Sequence, residues 1–284
     1  MKILKLLIIT VVAIGWVCTS CSSDDPIKKE TEVSLEKKTM LNVSYGNDTD
    51  QVYDIFLPEG RTLNTKILIL VHGGGWTQGD KTDMNGFKDF IRVQLPDIAV
   101  VNINYRLADE NNSPYPMQIN DITSIINSLK EKRSEYQIGT ELGFVGVSAG
   151  AHLSLLWSYA FDTENQVNMV CSIVGPTNLI DDAYLNSNSE ELQNLIDFFS
   201  LDEDILEEAS PLHKVTANAP PTILFYGGQD PLIPNSQGMD LKDKLEELGV
   251  AHEFTFYENE GHGWVGINLF DTSTKLKAFI EAYL

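Results

Sequence analysis

Three side chains of this 284-residue sequence have the types and setting for nucleophilic chemistry: Ser148, Asp230 and His262. Ser148 stands in Gly146-Val147-Ser148-Ala149-Gly150, a G-x-S-x-G run between the strand-like segment 142–147 and a helical pattern over 149–161. A serine at so tight a strand-to-helix turn has a strained backbone and presents its hydroxyl at the end of the strand. Positions two residues to either side must be small, because side chains there would collide across the turn, and Gly146 and Gly150 meet that requirement. The helix N-terminus that follows favours negative charge beside the serine.

A serine hydroxyl is a weak nucleophile until a base takes its proton, and that base needs a third group to orient it. In a Ser, acid, His order both partners lie beyond residue 148, at the ends of later strands. Asp230 follows the apolar run 222–226 and the turn Gly227-Gly228-Gln229, and is the expected acid, with Glu258, Glu260 and Asp204 as alternatives. Of five histidines only His252 and His262 follow it. His252 begins a strand, whereas His262 sits in the loop Glu260-Gly261-His262-Gly263-Trp264, so His262 is the expected base. His72, ahead of a glycine run, suits a loop-holding hydrogen bond. His152, one helical turn after Ser148, and His213 read as structural. No pair of histidines has metal-ligand spacing with acidic or cysteine companions, so no metal is expected.

Attack of an alkoxide on a carbonyl creates an oxyanion, and each backbone N–H aimed at it contributes roughly 3 kcal/mol. One donor is expected from Ala149. The others are expected from Gly74 and Gly75 in His72-Gly73-Gly74-Gly75-Trp76, which ends the strand-like run 67–71. A phosphate-cradling role for this loop is excluded by the lack of G-K-[ST] and of G-x-G-x-x-G with a downstream acid. The chemistry needs no cofactor.

Such residues must be delivered by a sheet. Strand patterns fall at 40–45, 52–57, 66–71, 98–105, 142–147, 167–174, 222–226 and 252–257, with helical patterns at 81–94, 117–133, 149–161, 237–248 and 272–283. This alternation is the signature of an α/β domain with a mainly parallel eight-stranded sheet flanked by helices. Runs such as Ile67-Leu68-Ile69-Leu70-Val71 have no polar face, as central strands buried on both sides require. Asp80 is placed to cap the first helix. Residues 175–213 break the alternation with acidic, amphipathic stretches carrying Leu192, Leu195, Ile196, Phe198, Phe199, Leu201, Ile205 and Leu206. They read as a small cap-like insertion covering a sheet edge or walling a pocket. The α/β domain accordingly runs from 39 to 284.

Residues 1–20 combine Lys2 and Lys5 with an apolar stretch too short to span a bilayer comfortably, the pattern of an export signal. Small residues before Cys21 resemble a bacterial lipoprotein cleavage site, with Cys18 as the alternative lipidated residue. The resemblance implies a membrane-anchored lipoprotein, and Ser22-Ser23-Asp24-Asp25 resembles the acidic signals of lipoproteins sent to the outer membrane or cell surface, with a simple solvated tether as the alternative. Residues 21–38 then form a linker. Membrane contact is expected only through that N-terminal anchor. Cys171, in an apolar run, reads as packing. With 43% hydrophobic residues and a formal charge of −21, the chain should fold and should repel nucleic acid, whose phosphates demand a basic face.

Taken together, HGGGW at 72–76, NYRLA at 104–108, GVSAG at 146–150, GGQDPLIP at 227–234 and GHGW at 261–264 resemble the hormone-sensitive-lipase-like esterases, and within them the bacterial feruloyl and acetylxylan esterase subgroup. The resemblance implies the α/β-hydrolase fold and a carboxylic ester hydrolase acting on a small-molecule or polysaccharide ester, with acetyl or feruloyl groups as the acyl part. Arylformamidases share the HGG-x-W pattern and prolyl-oligopeptidase-type peptidases share the elbow. A surface lipoprotein that only binds sugar or protein is the non-catalytic alternative.

Overall fold

The computed structural model describes residues 35–187 and 202–284, together with 189, 193, 196 and 199. The expected export signal, Cys18 and Cys21, most of the linker, and Leu192, Leu195, Phe198 and Leu201 of the insertion lie outside the described residues.

Eight strands form one sheet: β1 (Lys38–Ser44), β2 (Val52–Leu57), β3 (Ile67–Val71), β4 (Ala99–Ile103), β5 (Leu142–Val147), β6 (Val167–Ile173), β7 (Thr222–Gly227) and β8 (His252–Tyr257). Their spatial order is β1-β2-β4-β3-β5-β6-β7-β8. The pairs β1–β2 and β2–β4 are antiparallel, and every pair from β4 to β8 is parallel. Every residue of β3 and of β4 is buried, as their unbroken apolar runs require. The edge strand β1 is mostly exposed, and the other edge strand, β8, is only partly buried.

Among the described residues five longer helices pack against the sheet: α1 (Asn85–Gln94), α2 (Pro114–Glu131), α3 (Ala149–Leu156), α4 (Asn235–Glu247) and α5 (Gly266–Tyr283). The helix expected over 81–94 divides in two. Asp80 and Asp83 close a capping box on a tight turn, Lys81–Met84, and Met84 leaves helical geometry before α1 begins. The helix expected over 149–161 runs to Leu156 and ends in the wider turn Trp157–Phe161. Cys171 is free and buried in β6, and burial pushes its thiol pKa up.

The sheet order turns at β3. From it the chain passes to β4 on one side, and β5 to β8 then build outward on the other. In an open α/β sheet such a switch point leaves a crevice beyond the carboxyl ends of the strands, where ligands bind. The loops after β3, β5, β7 and β8 all emerge there. Between β6 and β7 the described part of residues 175–213 forms the short helices Asp182–Leu185, Glu203–Glu208 and Pro211–Lys214. The architecture is the α/β-hydrolase fold. Among the described residues no helix is long and apolar enough to cross a membrane.

Candidate active site

Ser148 sits between β5 and α3 with φ 52° and ψ −122°, a region that an L-residue occupies only under compulsion from its surroundings. The compulsion is visible. Ser148 N–H donates to Ile173 O on β6 at 2.8 Å, and its carbonyl accepts from His152 N–H at 3.0 Å. A Cβ on Gly150 would land on the carbonyl oxygens of Val71 and His72, so the elbow lies directly on the end of β3. One on Gly146 would strike the backbone of Gly150 and Ala151.

The two other side chains arrive from β7 and β8. Asp230 Oδ1 accepts from the N–H groups of Leu232 (2.8 Å) and Ile233 (3.0 Å), which fixes the carboxylate. Its Oδ2 accepts from His262 Nδ1 at 2.8 Å. With Nδ1 carrying that proton, His262 Nε2 is the lone pair that accepts from Ser148 Oγ at 2.9 Å. The Asp230 side chain is 1% exposed and that of His262 25%, so the anion is shielded while the imidazole faces the cleft. The loop bearing His262 is tied back to β7 by Gln229 N–H donating to Glu260 O and Gly228 N–H donating to Tyr257 O.

The alternative acids stand elsewhere. Glu260 accepts from Asn268 Nδ2, Glu258 offers its backbone carbonyl to Gln229 Nε2, and Asp204 lies on the short helix Glu203–Glu208. His252 Nδ1 is bound to Val250 O, and His213 Nε2 lies 3.2 Å from Asn178 Oδ1. No group of three or more metal-ligating side chains occurs among the described residues.

Gly74 and Gly75 line the same cleft as Ser148 and Ala149. The loop bends through three successive positive φ values, at Gly74 (114°), Gly75 (54°) and Trp76 (63°). At Gly74 a Cβ would also strike the Gln78 carbonyl, so glycine is required there twice over. The cleft measures about 520 Å³. Its floor is the glycine loop, Ser148, Ala149 and His262. Trp76, Val147, Pro176, Leu232 and Ile233 give an apolar wall, and Thr77, Gln78 and Asp83 a polar one.

A scaffold that sequence reasoning does not assign holds this loop. Tyr105 Oη donates to His72 O at 2.8 Å, and the Tyr105 ring stacks on His72 at 4.3 Å. Gln118 Nε2 donates to the carbonyls of Trp76 and Arg106, while Ala108 N–H donates to Trp76 O. Arg106 grips the fully buried Asp121 through Nε and Nη2. NYRLA thus works as the brace of the glycine loop. Its place directly after β4, outside the triad and the glycine loop, is the signal that points to it. His72 hydrogen-bonds Gly73 O through Nδ1 at 2.7 Å, and burial lowers its pKa, both suited to a neutral, loop-holding ring.

His152 joins three regions. The indole of Trp76 is a donor only, so its N–H donates to His152 Nδ1 at 3.2 Å, which leaves Nε2–H to donate to Ala209 O at 2.7 Å. Phe199 meets Trp76 edge-on at 4.7 Å. Full burial pushes the His152 pKa down to about 4, so this imidazole is neutral near pH 7.

Residues 53–245 match the BD-FAE family model. The chain is 26% identical over 244 residues to the esterase LipC of Mycobacterium tuberculosis, a match covering 78% of this chain and 59% of that protein. It is also 26% identical over 251 residues to a probable isoprenylcysteine alpha-carbonyl methylesterase of Arabidopsis thaliana, covering 78% of this chain and 50% of that one. The chain therefore spans little more than half the length of these relatives. Among solved structures, a truncated carbohydrate esterase from gut microbiota superposes with a TM-score of 0.70 at 19% identity, covering 85% of this chain and 96% of that one. At that identity the likeness establishes the fold.

Proposed function

The chain belongs to the BD-FAE family, and from that premise we propose that it is a serine carboxylic ester hydrolase that works through an acyl-enzyme. The observation that carries the reading is the unbroken relay from Ser148 Oγ through His262 to Asp230, set against a glycine loop in one cleft. His262 Nε2 takes the Ser148 proton as Oγ attacks the ester carbonyl carbon. The carbonyl oxygen becomes an oxyanion facing the N–H groups of Gly74, Gly75 and Ala149. As the tetrahedral intermediate collapses, His262 gives its proton to the leaving alkoxide. Water, deprotonated by the same imidazole, then cleaves the Ser148 ester and releases the acid. Asp230 stays ionised throughout and stabilises the imidazolium.

The substrates in this reading are small acyl or aromatic esters, with acetyl or feruloyl groups on plant polysaccharide foremost. The structural likeness to a carbohydrate esterase from gut microbiota supports that class. The same reading places the enzyme outside the cytoplasm, tethered by lipid on Cys21 of the expected signal. A fluorophosphonate probe on the full chain tests the chemistry, because only an activated serine is labelled covalently. Labelling of the wild type and not of Ser148→Ala, with release of acetate or ferulate from model esters, is the expected result. An unlabelled wild type would leave a binding protein on a hydrolase scaffold.

A further inference from the structure

The cleft holds more than the reaction needs. Its apolar wall and its catalytic floor account for an acyl group and a tetrahedral centre, yet Thr77, Gln78 and Asp83 line the same space with a hydroxyl, an amide and a carboxylate. Resting on the hydrolase reading above, we propose that this polar wall is a hydroxyl-recognition subsite, which selects uncharged, hydroxyl-bearing esters.

The geometry ties the wall to the reacting centre. Gln78 N–H and Thr77 N–H both donate to Gly74 O, at 3.0 and 3.2 Å, so these side chains are carried by the same turn that positions the oxyanion donors. Asp83 is held from the other side. Its Oδ2 accepts from Asp80 N–H at 3.0 Å, closing the capping box ahead of α1. Among the described residues no hydrogen bond engages Asp83 Oδ1, the Gln78 amide or the Thr77 hydroxyl. Gln78 and Asp83 are exposed in the open cleft.

The donor and acceptor set matches one ligand chemistry. A carboxylate oxygen accepts only, an amide both donates and accepts, and a hydroxyl does both, which together suits groups that are themselves donor and acceptor. An alkyl ester would leave all three in water and gain nothing from them. A substrate with its own carboxylate would meet Asp83 in a protein of formal charge −21 and be repelled. The cleft volume of about 520 Å³ lies within the range of pockets that hold a drug-sized molecule, well beyond a two-carbon acyl group. The hydroxyls have two sources: the sugar of the alcohol half or the phenol of an aromatic acyl half.

The test compares kcat/KM within two substrate pairs for the wild type, Asp83→Asn and Gln78→Ala of the full chain. One pair is acetylated xylo-oligosaccharide against 4-nitrophenyl acetate, and the other methyl ferulate against methyl cinnamate. Preference for the hydroxylated member is expected to fall about tenfold through KM in at least one pair, the size of one charge-assisted hydrogen bond. The pair that responds identifies which half of the ester carries the recognised hydroxyl. If Asp83 merely holds its turn, Asp83→Asn lowers both members of a pair alike and lowers Tm. Such a result, or ratios unchanged in both variants while esters are still cleaved, overturns the subsite and leaves the hydrolase standing. A wild type that cleaves none of the four overturns both.

Discussion

The loops at the carboxyl rim of the sheet and the segment between β6 and β7 wall the same cleft, yet they are held by different kinds of atom. At the rim, side chain meets side chain: Asp230 on His262, His262 on Ser148. In the inserted segment the attachments run mostly to backbone. His152 donates to Ala209 O, Ser113 to Phe199 O, and Gln237 binds the N–H groups of Thr177 and Asn178 through Oε1 at 2.7 and 2.8 Å. Reaction chemistry dictates residue types at the rim, whereas any residue can offer a carbonyl. The first region should therefore fail in rate when altered and the second in stability.

The sharpest break of that contrast is Ser148→Ala. It should cost a thousandfold or more in kcat/KM, on the order of the full contribution of a nucleophile, while thermal melting follows the wild type. Asp230→Asn comes next. It keeps the shape but lets the imidazole take the wrong tautomer, and should lose about a hundredfold to ten-thousandfold in kcat. A large fall in melting temperature for either variant would mean that the relay serves the fold and would erase the distinction.

The same contrast explains what is legible in the sequence. Gly146 and Gly150 flank Ser148 because the elbow rests on β3, and a strand-to-helix turn with that spacing can be read without coordinates. Asp230 and His262 follow from strand ends and chain order. Central strands β3 and β4 announce themselves by unbroken apolar runs. Helix α5, by contrast, starts at Gly266 and not at 272, because Ile267 and Phe270 are 77% and 67% exposed and break the buried-face period that marks a helix. The brace formed by Tyr105, Arg106, Gln118 and Asp121 escapes assignment because its hydrogen bonds end on carbonyls of distant loops or on a partner 15 residues away. How the insertion attaches is hidden for the same reason, since Ala209 and Phe199 enter through backbone oxygens.

On the insertion side, Gln237→Ala should produce the opposite phenotype. It strands the buried Thr177 N–H, at a cost of about 1–3 kcal/mol, and removes the acceptor of the half-buried Asn178 N–H. Urea titration should show a lower midpoint, with turnover of a small ester at 25 °C retained within a few-fold. A rate loss comparable to that of Asp230→Asn with an unchanged midpoint would place this anchor in the chemistry instead.

His152 belongs to both regions, one helical turn from the nucleophile and bonded to the insertion, so its titration asks which one it serves. Burial holds its folded pKa at about 4 against an ordinary 6.5. The unfolded chain therefore binds this proton first as the medium is acidified, and the unfolded state gains. Stability from this residue is complete above about pH 6.5 and falls as the pH drops towards 4, by up to about 3 kcal/mol. His152→Gln removes the titration and, although its amide can accept from Trp76 and donate to Ala209 O, gives up the ring packed edge-on against Trp76 and Phe199. It should be less stable than wild type at pH 7, and the gap should narrow as the pH falls to 4. Equal pH slopes for the two proteins in urea unfolding would show that the imidazole is not shut away from protons. The seam between glycine loop and insertion would then have to open in the native state.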